Sequence, residues 1–490
     1  MAQNHAFARV HAPAPANEQR VVSAPRPRAA LRLVNEPAAE RAEARAPVQE
    51  TVHELPPRKG LMRRLDSRPS MMHYHRLIVL TAVVNLVLFH VGLDQGVVWT
   101  RFGTDLGLVG NLVLGNIALA ILIRQQYVVN FLFKVATSVP TSWPLAIRRL
   151  CGKIYHFGGL HVGGAIFGTL WFGLFVAAAT YHLASGLPGV SSGTVITSYA
   201  ILAVLLLIVF LSLPSMRERH HDLFERSHRL GGWTALALFW LQTVLFVDDQ
   251  RGDVALGDAL LSAPGFWTLV VVTFSIALPW LRLRRVPLEI ATPSSHVAIA
   301  RFDYGVTPFA GSSTTLSRNP LMEWHAFANV PSPDADGYRL TISRAGDWTG
   351  ELIDDMPSHV WVKGIPTAGV GNIDRLFKRV VWIATGSGIG PCLPHLLAGE
   401  VPAHLVWSTR NPRRTYGDEL VDEILDAQPD AVIWDTDSDG RPDLVQLAYQ
   451  AYRDFDAEAV ICISNKKLTW RVVSGLESRG IPAYGAIWDS

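Results

Sequence analysis

Val380-Val381-Trp382-Ile383-Ala384-Thr385-Gly386-Ser387-Gly388-Ile389-Gly390-Pro391 is the stretch on which the fold of the C-terminal part of this chain turns. The β-branched and aromatic run reads as a short buried strand. The glycines after it let the backbone approach a ligand, and the apolar run beyond Gly390 reads as a helix whose N-terminus faces the turn. Strand, glycine turn and helix in that order suit a pyrophosphate-binding element. A tight turn with no ligand has the same local composition, so the surroundings must decide.

Downstream, His404-Leu405-Val406-Trp407-Ser408 and Ala459-Val460-Ile461-Cys462-Ile463 are further strands separated by helical patterns. Such alternation predicts a doubly wound parallel α/β domain over residues 371–490. Upstream, His296 to Phe302 and Tyr338 to Ile342 alternate with period two between Pro and Gly turns. They predict an antiparallel β-barrel over residues 286–370.

Farther upstream lie six apolar stretches: Leu77–Leu93, Leu106–Ile123, Phe157–Leu183, Val195–Leu213, Leu230–Val247 and Phe266–Leu283. Each is near the roughly 20 residues that a bilayer core requires. A six-helix all-α transmembrane bundle is expected over residues 71–285. Arg63, Arg64, Arg68 and Arg76 precede the first stretch; Arg148, Arg149 and Lys153 follow the second; Arg217, Arg219, Arg226 and Arg229 follow the fourth; Arg282, Arg284 and Arg285 follow the sixth. The alternate connections carry Asp94, Asp105, Asp248, Asp249, Asp253 and Asp258 instead. The expected topology is a multi-pass membrane protein with both termini cytoplasmic, in the inner membrane if the cell is bacterial. Residues 1–70 are rich in Ala, Pro, Arg and Glu and read as a disordered tail, with no secretory signal and with docking of a protein partner as one use.

Composition excludes several classes. The net charge of +2 gives no case for nucleic acid, and the three cysteines form no Cys-x-x-Cys pair. A disulfide scaffold, a cysteine zinc site and a cysteine-ligated iron–sulfur cluster are therefore not expected. A mean hydropathy of +0.20 suits a chain partly in lipid.

With the segments Glu323-Trp324-His325-Ala326-Phe327-Ala328, Gly346-Asp347-Trp348-Thr349, Lys363-Gly364-Ile365-Pro366-Thr367 and the glycine turn in that order, the chain resembles the ferredoxin–NADP reductase superfamily. Within it, the chain resembles the ferric reductase and NADPH oxidase branch, and is most similar in look to TmpA-like membrane flavoproteins. Phe224 to Gly231 is similar to the start of that branch's fifth helix. The resemblance implies FAD held by His325, Ala326, Phe327, Ala328, Arg344, Gly346, Asp347, Trp348, Thr349, Lys363, Gly364 and Thr367, with Trp488 as the aromatic over the ring. It implies a nicotinamide cofactor at Thr385, Gly386, Ser387, Gly388, Ile389, Gly390 and Pro391, with Ser464 in place of the usual Cys-Gly-Pro. Ala328 stands where the family has a hydroxyl facing the flavin. Ser408, Arg410, Arg413 and Arg414, with no acidic residue ending that strand, favour NADPH over NADH; a solvated basic loop is the plain alternative.

The same family stacks two haems between its third and fifth helices. His161 and His228 could supply one inner axial pair. Phe175 and Gln242, fourteen residues beyond each, cannot supply the outer pair, so at most one haem b is expected. His182 lies about 31 Å along the helix from His161 and belongs at the outer surface, where His90 could meet it. The resulting expectation is a membrane flavoprotein oxidoreductase. It would pass electrons from NAD(P)H through FAD to an acceptor such as a quinone, ferric iron, oxygen or a lipophilic metabolite. The alternative is a non-catalytic nucleotide-binding scaffold or redox sensor.

Overall fold

The computed structural model describes residues 53–60, 71–99, 103–331 and 336–486. Trp488 and nearly all of the expected tail lie outside the described residues. Residues 53–60 correct that expectation at its end. The His53 N–H donates to Gln450 Oε1 at 2.9 Å, Gln446 Nε2 donates to the His53 carbonyl at 2.8 Å, and Leu55 packs on the C-terminal domain. Docking a short strap needs one leucine and a few hydrogen bonds, not a core of its own.

The helical region comprises α1 (His73–Asp94), α2 (Leu106–Leu122), α3 (Gln126–Thr137), α4 (Leu145–Cys151), α5 (Gly158–Ala184), α6 (Ser192–Leu211), α7 (Pro214–Arg219), α8 (His221–Gln250), α9 (Leu256–Ser262) and α10 (Pro264–Leu281). Five spans are long and apolar enough to cross a bilayer: α1, α4 with α5, α6, α8 and α10. A sixth exists if α2 and α3 count together, although they are bent by 72°. Asp105 caps α2 by accepting from the Leu108 N–H at 2.9 Å, which starts that helix just before its apolar run.

Small residues on α5 decide how the helices meet. A Cβ on Gly159 would lie 2.2 Å from the Tyr74 carbonyl, and one on Gly164 would lie 2.7 Å from that of Asn116. The backbones of α1 and α2 therefore rest directly on α5. Asn85 and Asn116 exchange reciprocal amide hydrogen bonds of 3.0 and 2.8 Å, and Trp171 Nε1 donates to Asn85 Oδ1 at 2.8 Å. Three helices are thus pinned around a fully paired polar centre.

Beyond α10 come two four-stranded antiparallel sheets. One runs β1 (Arg284–Pro287), β8 (His359–Val362), β4 (Ser313–Ser317), β5 (His325–Ala328). The other runs β2 (Glu289–Ser294), β3 (Val297–Phe302), β7 (Tyr338–Ser343), β6 (Val330–Pro331). The expected barrel is not closed. The chain steps between the sheets at Leu288 and Asn329 without a ladder joining their edges. Pro287 ends β1 at the first seam and has no N–H to carry pairing across. Helix α11 (Asp347–Asp355) covers one end.

The last domain holds a five-stranded parallel sheet in the order β11 (Val432–Asp435), β10 (Ala403–Thr409), β9 (Val380–Thr385), β12 (Ala459–Ile463), β13 (Ala483–Tyr484). Helices α12 (Ile389–Ala398), α13 (Pro412–Tyr416), α14 (Asp418–Ala427), α15 (Leu444–Asp454) and α16 (Lys466–Glu477) connect and cover it. Trp382 and Trp407 are wholly buried at its centre. The order reverses between β9 and β12, and in such sheets a ligand crevice opens beyond the strand ends at the reversal.

Candidate functional site

The glycine turn sits at that reversal. Thr385 ends β9, Ser464 follows β12, and their hydroxyls hydrogen-bond to each other. Gly386 adopts φ +48°, a conformation glycine takes without strain. A Cβ on Gly388 would lie 2.1 Å from the Ile463 carbonyl, so only glycine fits there. The N-terminus of α12 then points out of the sheet, with Ser387, Ile389, Gly390 and Pro391 around it. Trp407 donates from Nε1 to the Gly386 carbonyl at 3.0 Å and stacks edge-on to Tyr416. Neither aromatic was singled out from sequence, where nothing distinguishes them from core residues.

The edge expected to recognise a 2′-phosphate is largely committed elsewhere. Ser408 is buried inside β10. Arg413 is held by Asp418 at 3.0 Å and by Asp422 at 2.7 Å. Arg410 makes only a 3.3 Å pair with Asp437 while largely exposed, and Arg414 is exposed. The acidic face of α14 takes up Arg413 because helix and loop fold against each other, a pairing the linear sequence does not reveal.

The first sheet gathers an aromatic platform. Trp348, on the first turn of α11, stacks against His325 at 4.4 Å and Phe327 at 6.0 Å between ring centres. His325 and Phe327 share one face of β5 because strand side chains alternate, which sends Ala326 and Ala328 to the other face. Burial lowers the His325 pKa, and its Nε2 has no hydrogen-bond partner among the described residues. At the start of α11, Thr349 Oγ1 accepts from the Ala345 and Gly346 N–H groups at 2.9 and 3.2 Å. Thr349 thus serves the two N–H groups just before α11, while among the described residues no side chain caps the helix from Gly346, where a Cβ would meet open space. That helix start can receive an anion. Arg344 is not free to help, since it grips Asp354 through two contacts and the Ser295 carbonyl through Nε at 2.9 Å.

The segment Lys363–Thr367 departs furthest from expectation. The N–H groups of Gly364, Ile365 and Thr367 are already used. The Gly364 N–H donates to the Pro279 carbonyl, the Ile365 N–H to Gln126 Oε1 and the Thr367 N–H to the Ser313 carbonyl, each at 3.0 Å. The Ala368 N–H just beyond donates to Asn130 Oδ1 at 2.8 Å. Gln126 and Asn130 also donate to the carbonyls of Ile365 and Pro366 at 3.0 Å. This loop is a clamp onto α3 and α10, not a phosphate cradle. Lys363 lies between Trp280 and Trp324, its Nζ 4.5 and 4.2 Å from the ring centres. Burial first, and then Arg229, lowers its pKa to about 8.

A testable consequence follows from that lysine. Between about pH 8 and pH 10.5 the unfolded chain keeps a proton that the folded protein has released. Stability contributed by Lys363 is therefore lowest below pH 8 and rises with pH through that window. Lys363→Met is expected to gain about 1–2 kcal/mol at pH 7, the desolvation cost being partly offset by loss of the indole contacts. It is also expected to flatten the rise. Tm measured across pH 7 to about pH 10 checks both, and an unchanged pH profile contradicts the assignment.

His161 on α5 and His228 on α8 face each other with ring centres 6.1 Å apart. His161 Nδ1 lies 2.8 Å from the Ala120 carbonyl, so Nδ1 carries the proton and Nε2 keeps its lone pair. With His161 in that tautomer, the two imidazoles could together hold one metal centre, while His228 Nδ1 has no hydrogen-bond partner among the described residues. Gly159, Gly163, Gly164 and Gly168 of α5 are filled by α1 and α2, so their smallness serves helix packing. At the far end, His182 Nε2 accepts from the Thr104 N–H at 3.1 Å while His90 is exposed, and that pair does not form. Among the described residues no group of three or more His, Cys, Asp or Glu could hold a metal ion.

Residues 370–490 match the family described as the C-terminal domain of Adenylate-forming reductase 03009. The chain is 45% identical over 420 residues, 85% of its length, to Adenylate-forming reductase 06235 of Coprinopsis cinerea. It is 44% identical over 420 residues to Adenylate-forming reductase 03009 of the same organism. It spans 40% of the length of each of these curated relatives. A flavohemoglobin from Malassezia yamatoensis with bound FAD and heme aligns at TM-score 0.39 and 14% identity, covering 79% of this chain and 100% of that one. A ferredoxin–NADP+ reductase from Plasmodium falciparum with 2'P-AMP aligns at TM-score 0.31 and 10% identity, covering 42% and 95%. Both scores lie below the level at which a shared fold follows.

Proposed function

We propose that this chain is the reductase portion of a membrane-bound flavoprotein oxidoreductase, taking electrons from NADPH or NADH through FAD to an acceptor in or at the bilayer. The carrying observation is α12. Its N-terminal turn lies at the reversal of the parallel sheet, while a Cβ on Gly390 would come within 3.3 Å of the Thr341 carbonyl on β7. One helix thus sets the nucleotide turn against the sheets that carry the aromatic platform. The name of the Coprinopsis relatives, reductases, agrees with this reading.

In the proposal, bound FAD supplies the redox chemistry by accepting hydride from the nicotinamide and releasing electrons onward. The chain's residues bind and orient. The uncapped start of α11 takes the flavin pyrophosphate, and His325, Phe327 and Trp348 flank the flavin. Gly386 to Gly390 and the helix dipole of α12 take the nicotinamide cofactor's pyrophosphate. Arg410 and Arg414 are the groups left to recognise a 2′-phosphate. His161 and His228 would hold one haem b, whose chemistry is one-electron transfer. The bundle would place all of this at the cytoplasmic face of a cell membrane. The acceptor is a quinone, ferric iron, oxygen or a lipophilic metabolite.

A second reading, a non-catalytic scaffold, is favoured by one observation: Arg344 and the N–H groups of Gly364, Ile365, Thr367 and Ala368 are already spent on the protein itself. Absorption of the protein purified in detergent separates the two. Flavin bands that bleach with NADPH support the enzyme, and a colourless protein that never takes up FAD sinks it. A Soret band lost in His161→Ala and His228→Ala supports the haem pair. Trp407→Phe keeps the ring but removes the N–H that holds the Gly386 carbonyl. The expected cost of about 1 kcal/mol corresponds to roughly a fivefold rise in KM for the nicotinamide nucleotide with flavin content unchanged.

A further inference from the structure

The end of the bundle remote from the soluble domains holds a partly open cavity of about 470 Å³ between α2, α5, α8, α9 and α10. That falls in the range of roughly 300–1,000 Å³ common for small-molecule sites. Phe172, Phe175, Phe239 and Phe246 line it. Phe172 and Phe175 stack at 5.8 Å, and Phe239 and Phe246 meet them edge-on at 5.4 and 5.5 Å. Asn111, Thr243, Gln250, Arg251 and Ser262 also line the cavity, but Gln242 is the one buried polar side chain of its wall. It is 5% exposed, it lines the cavity, and neither Nε2 nor Oε1 has a hydrogen-bond partner among the described residues.

A buried amide with both ends unmatched is costly, and natural proteins rarely retain one without a partner. Three occupants fail to match it. Haem would need imidazole or another strong ligand at Phe175 and Gln242, and phenyl and amide do not serve. An acyl chain would fill the volume but leave both amide atoms unpaired. Water would find polar partners only among the more exposed lining residues such as Thr243, Gln250 and Arg251, and none on the four phenyl rings, so it leaves the apolar wall unmatched. A flat apolar ring with an oxygen on its edge matches the whole site. Its face stacks on the phenylalanines. A ring carbonyl accepts from the Gln242 amide N–H, and a ring hydroxyl donates to the amide oxygen, so one side chain serves both oxidation states.

We propose that this cavity binds a lipophilic molecule of the quinone–quinol class, held by a hydrogen bond from its ring oxygen to Gln242. The site's proposed location in lipid rests on the bilayer reading above, but occupancy does not depend on flavin or nicotinamide.

The test uses the full chain in quinone-free lipid nanodiscs and radiolabelled decylbenzoquinone as the probe. One saturable site per chain is expected. Gln242→Met, which keeps side-chain length and removes both polar atoms, is expected to weaken it at least tenfold. Gly110→Leu, which fills a wall where a Cβ has 3.9 Å of clearance to Phe175, is expected to abolish it. Decylbenzene, the same molecule without oxygens, is expected to compete poorly. The proposal is overturned by absent saturable binding, by wild-type affinity in both variants, or by equal competition from decylbenzene, which would mark a hydrocarbon void only. Flavin bleaching by NADPH is read on the same preparations. Bleaching with no quinone binding sinks this proposal alone, and binding with no bleaching sinks the flavin reading alone.

Discussion

Gly388→Ala is expected to reduce NADPH-dependent flavin reduction by at least about 100-fold, some 3 kcal/mol of lost transition-state stabilisation. The added methyl carbon would sit 2.1 Å from the Ile463 carbonyl oxygen and 2.9 Å from its carbon. Both are backbone atoms of a central strand, wholly buried at Ile461 and Cys462 just before it. The strand cannot yield, so the glycine turn and the start of α12 must move away. That motion takes the helix N-terminus off the reversal between β9 and β12, where the pyrophosphate is to be held. Flavin content should be retained, because α11 and the aromatic platform do not touch Gly388. Stopped-flow bleaching with NADPH, alongside flavin absorbance per protein, checks both parts. A variant that bleaches at the wild-type rate would show that the turn takes no part in nucleotide binding.

Replacing Gln126 and Asn130 together with leucine is expected to raise the Kd for FAD at least tenfold and to lower Tm. The two side chains stand four residues apart on one face of α3. Between them they satisfy the N–H groups of Ile365 and Ala368 and the carbonyls of Ile365 and Pro366. Each backbone group left buried and unpaired costs about 1–3 kcal/mol, and the four losses share one loop and will not add fully. The loop adjoins β8 and pairs with β4 through Thr367 and Ser313. Loosening it therefore disturbs the sheet that ends in His325 and Phe327. Each single variant should show a smaller effect in FAD titration. Unchanged FAD affinity in the double variant would mean the loop holds its own shape and α3 merely rests on it.

These two expectations differ in how visible they were beforehand. The turn at Gly388 announces itself because its chemistry is local: a strand, three glycines and a helix within twelve neighbouring residues. The clamp was invisible. Gln126 and Ile365 lie 239 residues apart, and a glutamine at the start of an amphipathic helix resembles any solvated side chain. The same limit explains the arginines. Arg344 and Arg413 suggested phosphate binding by type and place, yet Asp354, Asp418 and Asp422 neutralise them across folded neighbours. Ser408 was expected at a ligand edge, but both faces of β10 are covered and Ser408 is buried with its neighbours Trp407 and Thr409.

Local signals alone determined the apolar helices, the order of the chemistry-bearing segments along the chain and the parallel sheet, because length, periodicity and glycine spacing act within a few residues. Only the tertiary structure decided which polar groups remain free to do chemistry. It used the Gly364, Ile365 and Ala368 amides to fasten the loop to α3 and α10, and it left Gly346 at the start of α11 without a side-chain cap. It set His161 against His228, and it closed four phenylalanines around an unpaired Gln242. The physical reason is that a hydrogen-bonding group can be spent only once. The partner that takes it is set by packing between distant parts of the chain, which no stretch of sequence records.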